Sequence, residues 1–61
     1  MMTLTTKELS AIEDQLGAEK ELVAKYRSYA AVCTDPQLQA KLSGMASRHQ
    51  SHFDTLYSLL G

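Results

Sequence analysis

The chain has 61 residues, 44% of them hydrophobic, and six Lys and Arg against seven Asp and Glu leave a net charge of −1. That length holds one small domain with a marginal core, and a single cysteine excludes an internal disulfide, so a metal, a partner or very good helix packing has to add stability. The balanced charge excludes a nucleic-acid arm and a polybasic membrane patch, and no run of 18 apolar residues is present to span a bilayer.

The start, at residues 1–4, lacks the charged and apolar regions of a signal peptide. An unpaired Cys suits a reducing compartment. The expectation is a soluble intracellular protein forming one domain over residues 1–61.

The first element is announced by Thr5-Thr6-Lys7-Glu8, a capping box with Thr5 as N-cap and Glu8 three residues on. It predicts a helix over about 6–33. Turn-forming residues then gather at Cys33-Thr34-Asp35-Pro36. A Pro in the first helical turn, preceded by a Thr or Asp that caps, predicts a turn at 34–35 and a second helix over about 36–60. Both segments are rich in Ala, Leu, Lys, Glu and Gln, which favour helix. Gly17 and Gly44 interrupt them at a cost of about 1 kcal/mol each relative to Ala.

Steps of three and four trace a seam along each helix. The first runs through Leu9, Ile12, Leu16, Glu19, Val23, Tyr26, Ala30 and Cys33; the second through Leu38, Leu42, Met45, His49, His52, Leu56 and Leu59. Leu22 and Tyr29 widen the first stripe, and Ala46, Phe53 and Leu60 widen the second. The fold class is therefore all-α, a two-helix antiparallel hairpin. Its widened flanks need a further layer, and a twofold dimer forming a four-helix bundle supplies one. A monomer with a loose face is the alternative.

Three seam positions are not apolar: Glu19, His49 and His52. With the chain reversing at 34–35, Glu19 faces residue 50, so all three fall within ~5 Å along the axis at 1.5 Å rise per residue. A buried carboxylate and two imidazoles have to find partners. Either they hydrogen-bond one another, or they ligate a divalent metal such as Zn²⁺ or Fe²⁺. Both outcomes satisfy the pattern. An in-register dimer would bring two such layers to one height, enough for two ions or one extended network.

Other residues carry packing. Cys33 reads as a small filler beside the turn, with pairing across a dimer or thiol chemistry as the alternative; Tyr26 packs near the layer or donates a hydrogen bond toward it; Tyr29 and Phe53 serve helix or dimer contacts; and Tyr57 falls outside the seam and should be exposed. No Gly-rich phosphate loop, Cys-x-x-Cys pair or strand-borne catalytic triad is present, so no catalytic residues are assigned.

Glu19, in Ala18-Glu19-Lys20-Glu21-Leu22-Val23-Ala24-Lys25-Tyr26, and His49-Gln50-Ser51-His52 resemble half of a ferritin-like bundle, which sets a Glu on one helix and a Glu-x-x-His pair on the next. His52 takes the place of that family's histidine, and His49 stands where it has a Glu. More closely, residues 4–60 resemble small spore coat F-like (CotF-like) proteins of spore-forming Firmicutes. The likeness rests on Glu-Lys-x-Leu-x-x-x-Tyr at 19–26, Asp35-Pro36-Gln37-Leu38 at the turn, and the His49/His52 region before Phe53 and Leu56. It implies a structural or assembly protein of the spore coat, a homodimer, and coat proteins as partners. The His at 49 leaves two carboxylates for two ions in such a dimer, a nitrogen-rich set suited to a divalent cation rather than to an oxidised di-iron centre. Two other classes remain open: a metal-dependent oxidoreductase or metal carrier, and a module that binds a partner's helices.

Overall fold

In a computed structural model, which describes residues 3–61, the chain forms two helices: α1, Thr6–Val32, and α2, Pro36–Ser58. Met1 and Met2, part of the start and of the single domain read above, lie outside the described residues. Thr5 caps α1 as a capping box: the Glu8 N–H donates to Thr5 Oγ1 (3.1 Å), and the Thr5 N–H donates to Glu8 Oε1 (2.9 Å). Asp35 caps α2, its Oδ1 accepting from the N–H groups of Gln37 (2.9 Å) and Leu38 (3.2 Å), with Pro36 in the first turn. These bonds satisfy helical N–H groups that have no partner within their own helix.

The turn is one residue longer than 34–35, because Cys33 already has extended backbone (φ −78°, ψ 127°) and ends α1. The second helix stops at Ser58 rather than 60, where the last turn tightens to bonds three residues back: the N–H groups of Leu59 and Leu60 donate to the carbonyls of Leu56 and Tyr57 (3.0 Å each). Across the turn, the Gln39 side-chain amide donates to the Ala30 carbonyl (2.8 Å) and ties the end of α1 to the start of α2. Ala30 meets Gln39 and Glu19 meets His49, so partner numbers rise on one helix as they fall on the other. The helices are antiparallel, and the hairpin is as expected.

The seam differs from the stripe read along α2. Ala46 is buried and Phe53 half-buried, whereas Met45 and His52 are exposed. The inner line of α2 runs Leu42, Ala46, His49, Phe53, Leu56. At 100° per residue, Met45 and His52 are turned roughly 65–85° off that line. Step counting alone cannot choose between 45 and 46, since both lie three or four residues from their neighbours. The helix rotates to present the small Ala46 to α1, which lets the backbones approach, and to seat the ring of Phe53.

Glu19, Val23, Ala30 and Ala46 are the buried residues among those described. The hairpin extends 46 × 17 × 11 Å, a single layer of helices. Seam residues at its ends, Leu9 and Leu38, are 38% and 49% exposed. The interface expected to be dry is therefore dry only in its middle.

Candidate metal centre

That dry middle carries the polar layer. Glu19 is 5% exposed, midway along α1, and is the buried charged residue among those described. Its Oε2 lies 3.1 Å from Nδ1 of His49 and 3.1 Å from Nδ1 of His52. With a proton on Nδ1, each imidazole donates to the same carboxylate oxygen. The Gln15 side-chain amide donates to the other oxygen, Oε1 (3.2 Å). Both oxygens of Glu19 are thus engaged, and among the described residues no buried side-chain polar atom lacks a partner.

The local sequence explains each position. Gln15 and Glu19 are one turn apart on the same face of α1, where i and i+4 side chains meet. His49 and His52 are three apart on α2 and converge from one side. The Tyr26 ring stacks on His49, with centroids 5.8 Å apart and planes within 4°. His52 meets the same imidazole edge-on at 5.5 Å. His49 is therefore clamped between an aromatic face and a second imidazole. His52 is held on one side only, and its side chain is 52% exposed.

Burial of Glu19 works against its charged form. The hydrogen bond from His49, the charges of His49 and His52, and the Gln15 amide outweigh that penalty and hold the carboxyl below its ordinary pKa. The layer therefore keeps an anion in the seam, with two imidazole nitrogens aimed at it.

Such a set suits a cation. One ligand atom from each of Glu19, His49 and His52 can be chosen so that all lie within 4.8 Å of one another. Ligands bonded at 2.0–2.1 Å in a tetrahedron stand about 3.3 Å apart. The two N···O distances of 3.1 Å are close to that spacing, while the group as a whole spans up to 4.8 Å, so the side chains would draw together on taking up an ion. Two imidazoles and one carboxylate serve Zn²⁺ with an open position, and the same trio on one face serves Fe²⁺. These three residues form a group able to hold a metal ion.

The sequence pattern found the three members of this layer and missed Gln15, whose signal was its place one turn before Glu19. The trio also borders an open cleft of about 330 Å³, lined by Gln15, Glu19, His52, Thr55 and Leu56. Across the seam, a second cleft is lined by Lys20, Val23, Ala24, Arg27, Gln50 and Phe53. The two clefts differ in lining: Gln15, Thr55 and Leu56 accompany Glu19 and His52 in the first, whereas Lys20 and Arg27 border the second.

Comparison of the chain with protein families, curated proteins and solved structures finds no match. Among the described residues, no helix is long and apolar enough to cross a membrane.

Proposed function

We propose that this hairpin is one half of a homodimeric four-helix bundle with a structural or assembly role, and that Glu19, His49 and His52 bind a divalent cation, zinc or iron(II), at its centre. One observation carries the metal: Glu19 Oε2 is met at 3.1 Å by a nitrogen from each of two histidines in an otherwise apolar stretch of seam. The dimer is supported by the thinness of the molecule. Stable domains pack at least two layers around a core, and this chain supplies one, 11 Å thick.

The assembly role rests on the likeness to spore coat F-like proteins and on the absence of a catalytic arrangement in the sequence. An ion in this layer would satisfy the three polar side chains and fix the register of the helices, since a slip of one turn would part Glu19 from the histidines.

Metal analysis of protein purified without added metal, with thermal melts before and after chelation, tests the reading. About one zinc or iron per chain is expected, with a Tm that falls on chelation in the parent and not in Glu19→Gln or His52→Ala. Metal-free protein whose melt ignores both chelator and added ion would leave a hydrogen-bonded layer instead. Sedimentation tests the dimer: a monomer at micromolar concentration would turn the reading toward a module that binds another protein's helices.

The exposure of His52 favours a second reading, a metal carrier or metal-dependent oxidoreductase, because an ion held from one side keeps exchangeable positions. Oxygen consumption by the iron(II)-loaded protein would favour it over a closed structural site.

A further inference from the structure

The cleft across the seam from the trio has a volume of about 340 Å³ and shares no residue with the metal centre. Its floor is apolar: Val23 is buried, Phe53 is half-buried, and Ala24 adds a methyl group beside them. Its rim is cationic. Lys20 and Arg27 stand two turns apart on α1, about 10 Å along the axis, both turned roughly 60–80° to the same side of the inner line.

Neither cation is neutralised where it stands. Every residue three or four positions from Lys20 or Arg27 is Leu, Gly, Val or Ala, so their own helix offers no carboxylate in reach. Among the described residues, the ion pairs join Glu19 to the two histidines and involve neither cation. From α2, Ser43, Ser47 and Gln50 fall on this side between the heights of Lys20 and Arg27, and none is charged. The acids lie outside that interval. Glu13 and Asp54 are past the Lys20 end, where the Gln50 amide donates to Asp54 Oδ1 (3.0 Å). Asp35 caps α2 past the Arg27 end, and Glu21 is turned to the far side of α1. Lys25 lies on the other flank, its ammonium 6.0 Å from the centroid of the Tyr29 ring. In a chain of net charge −1, two unpaired cations thus border one apolar hollow.

We infer that this cleft binds a small organic anion, an aryl or acyl carboxylate, with its hydrocarbon on Val23, Ala24 and Phe53 and its carboxylate between Lys20 and Arg27. Both parts of such a ligand find a complement there. The apolar body is removed from water against the floor, and the carboxylate takes charge-assisted hydrogen bonds from an ammonium and a guanidinium. Attraction is strengthened because the apolar floor lowers the local dielectric beside the two charges. The volume is at the small end for ligand sites, which suits one ring or a short chain.

Nuclear magnetic resonance titration of the intact chain tests this, in chelator so that no metal takes the carboxylate. Phenylacetate and octanoate are the probes, with phenylacetamide as the neutral counterpart and acetate as the anion without an apolar body. Saturable amide shifts should gather at residues 20–27 and 50–53. Phenylacetamide and acetate should each bind about 10-fold more weakly than phenylacetate. The double variant Lys20→Gln, Arg27→Gln, with helicity checked by circular dichroism, should lose about 10-fold in phenylacetate affinity and none for phenylacetamide.

Shifts spread over both faces, or no saturable shift with either probe, would overturn the inference. Equal binding of phenylacetate and phenylacetamide, or a double variant that binds phenylacetate unchanged, would leave only an apolar hollow and overturn it as well. The metal centre stands or falls separately, since its three residues lie outside this cleft.

Discussion

Two neighbouring levels of the seam are closed by opposite means. At one, Val23 and Ala46 stand at the same height and are 5% and 3% exposed. About 6 Å further along α1, Glu19 is just as buried but meets two imidazoles instead of hydrocarbon. The apolar level works through close approach: a small side chain on α2 lets the helices come together and expels water. The polar level works through direction, because carboxylate and imidazole satisfy one another only in one register. Apolar contacts favour burial and tolerate sliding; the Glu19 contacts oppose burial and forbid sliding. A hairpin with so few buried residues uses the first to hold together and the second to choose its alignment.

The largest effect should come from emptying the polar level. Glu19→Ala leaves His49 and His52 facing a gap and takes the acceptor from Gln15. Zinc affinity should fall by more than about 100-fold, since a ligand is lost outright rather than loosened. Isothermal titration in parallel with a melt checks both halves, and unchanged zinc affinity would break the account of this level. Val23→Ala strikes the apolar level and should cost about 2 kcal/mol, seen as a Tm lower by roughly 10 °C. It should leave the metal stoichiometry of the surviving folded protein intact.

Acid should separate the two levels, because only one titrates. Glu19 has a folded pKa below its ordinary 4.5, so its contribution is complete above that value and is lost as the pH falls through the lower, folded one. Glu8 is also held low, by the Thr5 backbone N–H and then by the Thr5 hydroxyl, and loses its contribution in the same direction. Urea midpoints of the metal-free protein should therefore drop as pH is lowered from about 5 to 3. Glu19→Gln should flatten much of that drop, Glu8→Gln a separate part, and Val23→Ala none of it. The smallest change should be a gain. A Cβ at Gly17 or Gly44 would meet nothing within 4 Å, so Ala at either position should raise stability by about 0.5–1 kcal/mol. Both levels should benefit alike, which makes the pair a calibration for the other variants.

The helices and their caps were legible in the sequence because they depend on local chemistry. Thr5 with Glu8, and Asp35 with Pro36, satisfy helix N-termini within a few residues. The meeting of Glu19 with His49 and His52 was legible for a related reason: a short turn fixes the register of an antiparallel pair, so height follows from counting. Which of two adjacent residues faces inward was not legible. Met45 and Ala46 fit the spacing equally well, and the choice fell to Ala46 because the separation of the helices favours a small side chain there. Gln15 escaped for a different reason, since a polar residue beside the stripe gains a role only once Glu19 turns an oxygen toward it.

By itself, then, the sequence determined two capped helices, their antiparallel order and the level at which three metal-competent side chains gather. Each of these follows from short-range bonding and from the rise per residue. Only the tertiary structure decided the rotation of α2 about its axis, and with it the burial of Ala46 and the half-exposure of His52. Rotation answers to side-chain shape across the whole seam, which no spacing along one helix encodes. It also turns Met45 and His52 to the same side of α2, off the inner line.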